Sequence, residues 1–187
     1  MSSLKSLFQN IAIKNAIKKN PRKKSFKNLE QIKHVGIIFE RTGDDVAAHV
    51  AKLAKFLHER QMQIDVFAFV NLKKPTQELE QKKGLTLFYK RDLNWFGKPK
   101  TEEIIAFTQK KFDLLIKADF SVSYPLAYIC ASSGASLIAG SNDDNKAFYD
   151  LIIEGKTDNP NDFHQQLIHY LSVINSTEST NKNVTYA

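Results

Sequence analysis

The sequence predicts an α/β protein with three layers, a mostly parallel sheet between helices, Rossmann-like in general shape, behind a basic helical N-terminal extension. Three observations carry that prediction. Strand-like apolar runs alternate with segments of helical spacing over residues 34–175. The runs are apolar at consecutive positions, as in Val35-Gly36-Ile37-Ile38-Phe39, which is the pattern of strands covered on both faces. The charge is also divided: residues 1–33 hold nine basic side chains and one acid, a net of +8, whereas the rest holds 18 basic and 19 acidic ones, a net of −1.

Residues 3–20 read as a helix with Leu4, Leu7, Phe8 and Ile11 on one face, while Ile13 and Ile17 fall roughly opposite. Asn20-Pro21 ends it, because a proline disfavours helical geometry in the residue before it. Residues 21–33 are basic, polar and expected to be irregular. A first strand follows at 34–39. A helix at 44–60 carries Val46, Val50, Leu53, Ala54 and Leu57 at helical spacing. A second strand spans 64–70, a polar crossover 72–84, and a third strand 85–88. A loop over 89–100 leads to a helix at 101–110, with Thr101 as its cap and Glu102 and Glu103 favourable in its first turn. A fourth strand is expected at 112–116, a buried helix at 124–132, and short strands at 136–139 and 150–153. Asn159-Pro160 starts a last helix with Phe163, Leu167, Ile168, Leu171 and Ile174 on its apolar side. The polar residues from 176 to 187 are expected to be disordered. The organisation is thus a leader at 1–33, an α/β domain at 34–175 and a tail at 176–187.

The 187 residues suffice for a core without disulfides or metals, and a lone cysteine, Cys130, fits a reducing compartment. No apolar run approaches the roughly 20 residues of a membrane-spanning helix. A cytoplasmic protein is expected, with peripheral membrane contact disfavoured by the broken apolar face of the leader.

Nothing amounts to a catalytic site. The turn after the first strand, Glu40-Arg41-Thr42-Gly43-Asp44-Asp45, lacks G-x-G-x-x-G and places acids where a pyrophosphate would sit. Asp113, Asp119, Asp143 and Asp144 read as solvated strand-end and turn residues. The five histidines show no metal-ligand spacing, Ser132-Ser133-Gly134 is no nucleophile elbow, and Cys130 reads as a core residue. No metal or cofactor is expected.

Two segments point to phosphate. The leader concentrates Lys14, Lys18, Lys19, Arg22, Lys23, Lys24 and Lys27, against the bland reading of a solvated tail. The 90–100 loop interleaves Lys90, Arg91, Lys98 and Lys100 with Trp95, the only tryptophan, and Phe96. Such a mixture can pair with phosphates and stack on unpaired bases. Alternatively Trp95 and Phe96 pin the loop against the sheet.

Asp92-Leu93-Asn94-Trp95-Phe96-Gly97-Lys98-Pro99, Phe112-Asp113-Leu114-Leu115-Ile116, Pro125-Leu126 and Tyr149-Asp150-Leu151-Ile152-Ile153, behind a Lys-rich leader, resemble an uncharacterised family of small α/β proteins from Bacteroidetes-type bacteria. The resemblance runs from the leader to about Ile174 and implies the α/β fold and a cytoplasmic bacterial setting, with no catalytic residues. The Phe-Asp-Leu-Leu-Ile strand is also similar to one in half of the GT-B glycosyltransferases.

The function expected is a non-enzymatic RNA-binding protein that docks on the ribosome or another structured RNA, with ribosomal proteins as further neighbours. The leader lysines and Arg22 would supply phosphate contacts, and Arg91, Trp95, Lys98 and Lys100 a second surface. Deleting residues 1–28 is expected to abolish association while leaving the domain folded. The rival reading is a small-molecule or nucleotide-sugar site at the C-terminal edge of the sheet.

Overall fold

The computed structural model describes residues 2–74, 84–141, 146–153 and 160–174. Six strands form one sheet: β1 (His34–Glu40), β2 (Gln63–Val70), β3 (Leu85–Tyr89), β4 (Leu114–Lys117), β5 (Leu137–Ser141) and β6 (Leu151–Ile153). Every pairing is parallel, in the order β3-β2-β1-β4-β5-β6. That is the doubly wound order in which the chain reverses direction between β1 and β4, opening a crevice at the carboxyl ends of the strands.

The helices are α1 (Ser2–Lys19), α2 (Asp44–His58), α3 (Glu102–Gln109), α4 (Tyr124–Ser132) and α5 (Pro160–Val173). Because successive strand residues point to opposite faces, the sheet feeds two cores. Ile38, Phe67, Phe69, Leu115 and Ile138 meet Ile104 and Phe107 of α3, Leu126, Ile129 and Cys130 of α4, and Ile13 and Ala16 of α1. On the other face Val35, Ile37, Phe39, Leu114 and Ile116 meet Val50, Leu53 and Leu57 of α2 and Phe163, Leu167 and Leu171 of α5.

Several expectations shift. The sheet is parallel throughout, and β4 begins two residues later than its apolar run because Asp113 turns its carboxylate to the leader. Thr101 occupies the position before α3, but its side chain makes no capping bond. Asp113 and Asp119 are not solvated turn residues. Asp113 accepts hydrogen bonds from Lys27 Nζ (2.6 Å) and from the Lys33 and His34 N–H groups. Asp119 is buried and accepts from the Glu40 N–H and from Ser121 Oγ. Most of the 72–84 crossover, Asp143, Asp144 and the tail lie outside the described residues.

Candidate nucleic-acid interface

The leader is built into the domain. Its apolar residues point in two directions, as their spacing requires. Ile13 and Ala16 enter the core beside α4, with Ile17 packed against it, while Leu4, Leu7, Phe8 and Ile11 are exposed. Asn20 Nδ2 donates to the carbonyls of Ser132 (2.8 Å) and Ser133 (2.6 Å), satisfying groups that the end of α4 leaves without helical partners. The two helices therefore run side by side, C-terminus beside C-terminus. At about 1.5 Å per residue, α1 is ~27 Å long and α4 only ~14 Å. The first half of α1 overhangs the carboxyl edge of the sheet, and that overhang is why its apolar stripe is left uncovered.

After α1 the chain is pinned to the edge of the sheet. The Arg22 guanidinium makes a two-pronged bond to Asp150 (2.8 and 3.1 Å) and also donates to the carbonyls of Ala135 and Phe148. Lys24 Nζ lies 2.9 Å from the same carboxylate. Burial alone would raise the Asp150 carboxyl, but bonds from Arg22, Lys24 and the Ile138 N–H outweigh it and hold the pKa below the ordinary value. At Asp113, burial is likewise outweighed by Lys27 and two backbone N–H groups.

These contacts sort the leader's charges. Arg22, Lys24 and Lys27 are matched by carboxylates of the domain. Lys14, Lys18, Lys19 and Lys23 are exposed and have no ion pair among the described residues. Removing residues 1–28 would take Ile13 and Ala16 from the core and Arg22 from Asp150. The truncation therefore strips core and ion-pair contacts from the α/β domain as well as charge.

The 90–100 loop lies against the overhang. A short 3-10 turn, Lys90–Asp92, precedes it, and Leu93 and Pro99 pair as an antiparallel bridge at its neck. Asn94 Oδ1 accepts from the N–H groups of Phe96 and Lys98 (both 3.0 Å), and Gly97 takes the left-handed conformation (φ +85°) that closes the turn. Gln9 Nε2 donates to the Phe96 carbonyl at 2.9 Å, and the Phe8 and Phe96 rings lie 6.0 Å apart. Trp95 is 89% exposed and Phe96 about half exposed, so neither pins the loop to the sheet; Phe96 ties it to Gln9 and Phe8 of α1 instead. Lys98 Nζ lies 5.0 Å over the Tyr128 ring of α4, and the Arg91 guanidinium 5.4 Å from the Tyr89 ring. Arg91 is also 3.8 Å from Asp92, while Lys100 is exposed.

The leader helix and the tryptophan loop are thus one surface. The exposed stripe of α1, Leu4, Leu7, Phe8 and Ile11, continues along the same azimuth to Lys14 and Lys18, and Phe8 joins it to the tryptophan loop through Phe96. No sequence signal predicted this junction, since Gln9 and Phe96 are 87 residues apart and neither is distinctive alone.

Beneath the overhang lies a polar constellation at the β1/β4 reversal. Lys117 at the end of β4 is fully buried, donates to the carbonyls of Asp119 (3.0 Å) and Ser121 (2.8 Å), and places its ammonium 3.0 Å from Asp119 Oδ1 in ion-pair geometry. Sequence reading missed Lys117, because a lysine ending an apolar run reads as a solvated strand end. Beside it a cleft of about 340 Å³ is lined by Glu40, Asn71, Lys90, Ser123 and Tyr124, with Lys5 of α1 at its rim. Burial, then the neighbouring Tyr128, pushes the Tyr124 hydroxyl up to about 12. No helix among the described residues is long and apolar enough to cross a membrane.

Comparison with known proteins agrees on the extent of the unit. A family of unknown function, DUF6913, matches residues 5–174, and the chain belongs to it. No curated protein and no solved structure matches the chain.

Proposed function

We propose that this DUF6913 member is a non-enzymatic protein of the bacterial cytoplasm that docks on structured RNA, the ribosome or an assembling subunit being its partner. The observation that carries the reading is the 89% exposure of Trp95 on a loop tied to α1, a helix whose Lys14, Lys18 and Lys19 have no ion pair among the described residues. A large aromatic left in water beside ammonium groups costs hydrophobic stabilisation, and a base stacked on it would recover that cost.

Lys14, Lys18, Lys19 and Lys23 supply phosphate contacts, with Lys98, Lys100 and Arg91 around the loop. Arg22, Lys24 and Lys27 hold the leader in place instead. The uncovered Leu4, Leu7 and Ile11 suit a protein neighbour within a ribonucleoprotein particle, where RNA and protein surfaces adjoin. Release of counterions from several phosphates makes such docking steeply salt-dependent.

The test is sedimentation of the tagged full chain on sucrose gradients, with and without RNase, at low and high salt. Co-migration with a ribosomal particle, lost with RNase, high salt or the triple substitution Lys14→Glu, Lys18→Glu, Lys19→Glu, is expected. Migration as a free small protein in every condition overturns the reading. Flotation with anionic liposomes in place of particle binding would reassign the surface to a membrane.

A further inference from the structure

We propose that the cleft at the β1/β4 reversal is a small-molecule site for a hydroxyl-bearing phosphate monoester, the class of mononucleotides and sugar phosphates. The inference shares Trp95 with the RNA reading but rests on Glu40 and Ser123, which that reading does not use. It starts from two polar side chains that face one cleft. Glu40, at the end of β1, is 8% exposed as a residue; its N–H is held by Asp119 at 2.9 Å, and its carboxylate reaches solvent with no hydrogen bond or ion pair among the described residues. Ser123, 6% exposed, precedes α4, yet its Oγ neither caps that helix nor meets any other described group. Both line the same cleft. The buried Ser123 hydroxyl without a partner costs free energy that a ligand's polar group can offset, and the Glu40 carboxylate offers a charged acceptor in the same cleft.

The charges select the ligand. Lys5 and Lys90 bring two positive charges to the wall, and the N-terminus of α4 adds about half of one. Glu40 removes one. The balance is about +1.5, which matches the roughly −1.5 to −2 of a phosphate monoester at neutral pH. A zwitterion of zero net charge would leave that excess uncompensated. The phosphate belongs at the Ser123 end, where a helix N-terminus and a free hydroxyl adjoin the lysines. The Glu40 carboxylate then accepts from neutral donors, and a vicinal diol offers two.

The cleft of about 340 Å³ lies at the small end of the ~300–1,000 Å³ usual for such sites, which suits a mononucleotide better than a nucleotide sugar. It also sits where ligands bind open doubly wound sheets, outside the carboxyl ends at the reversal. Trp95 stands at the opening, exposed enough to cover a base.

Trp95 is the only tryptophan, so its emission reports on the cleft directly. The full chain is titrated with AMP, ribose 5-phosphate, ribose and inorganic phosphate at up to millimolar concentration, following fluorescence and melting temperature. AMP or ribose 5-phosphate is expected to change emission and raise the melting temperature, with ribose and inorganic phosphate far weaker. Glu40→Gln, with an unchanged circular dichroism spectrum, is expected to weaken the phosphorylated ligand about tenfold or more, as loss of a charged hydrogen bond does. No response to any probe, a response to inorganic phosphate equal to that of AMP, or full affinity in Glu40→Gln overturns the proposal. Particle co-sedimentation is read separately, through lysines outside the cleft, so failure of one reading leaves the other standing.

Discussion

The guanidinium of Arg22 grips the carboxylate of Asp150 with two hydrogen bonds across 128 positions of chain, and that grip makes the basic leader part of the α/β domain. Both groups are largely shielded, with side chains 10% and 1% exposed. A buried pair of this kind is weak evidence of net stabilisation, but breaking it from one side is costly. Asp150→Ala is expected to destabilise the protein by about 3–5 kcal/mol in urea unfolding. Because the folded pKa of Asp150 is depressed, its contribution is present above the unfolded carboxyl value, near pH 4, and is lost as pH falls through the folded one. A loss well under 1 kcal/mol would show that other contacts hold the leader.

His164 gives a second, milder acid sensitivity. Burial and then the neighbouring His49 lower its pKa to about 4, and the two rings lie 6.4 Å apart. Between pH 4 and 6.5 the unfolded chain binds this proton and the folded one does not. Stability therefore rises with pH across that window and is complete above it. The full change is on the order of 3 kcal/mol, from 1.36 kcal/mol per pKa unit. His164→Phe is expected to flatten the slope of unfolding free energy between pH 4.5 and 6.5; an unchanged slope counts against this assignment.

Two glycines let aromatic rings reach the sheet. A Cβ on Gly36 would meet Phe112 at 2.9 Å and Leu115 at 3.0 Å, and one on Gly140 would strike the Tyr149 ring. The Phe112 and Tyr149 rings are rigid and buried, so Gly36→Ala and Gly140→Ala should each cost about 1–3 kcal/mol through overpacking. Midpoints of chemical denaturation equal to wild type would mean that the rings move aside.

At Lys117 the order of deletion matters. Asp119→Ala takes the carboxylate from a fully buried ammonium whose carbonyl acceptors remain. A cost of about 3–5 kcal/mol is expected, against much less for Lys117→Met with Asp119→Asn together. Thermal melts of the single and double variants decide it, and equal losses would refute the coupling.

For the proposed RNA-docking surface, Trp95→Ala should leave stability within about 0.5 kcal/mol, since the side chain is exposed. Affinity for single-stranded RNA should fall by about 1–3 kcal/mol without a change in salt slope. Lys14→Ala and Lys18→Ala should do the reverse, each lowering the slope of log K against log salt by about 1. Fluorescence anisotropy at several salt concentrations separates the two signatures.

Much of the fold was legible because it is local. Runs apolar at nearly every position marked β1, β2 and β4, and helical spacing marked α2 and α5. The helix stop at Asn20-Pro21 and the helix from Tyr124 to Ser132 were likewise visible in short windows. Strand ends slipped by one or two residues where the deciding partner was distant, as with Asp113 and the leader. The candidate residues were found by composition, which counts charges but cannot pair them. Lys14 and Arg22 read alike in the chain, yet one faces solvent and the other is spent on Asp150.

The sequence alone determined that this chain forms a helix-covered parallel sheet with its positive charge gathered at one end, because periodicity and charge density are properties of neighbouring residues. Only the tertiary structure decided which of those charges remain available, that Gln9 joins α1 to the Phe96 loop, and that Glu40 and Ser123 share a cleft. Those relations depend on strand order and on the length of α1 beyond α4. Both bring together residues far apart in sequence, and no local pattern encodes them.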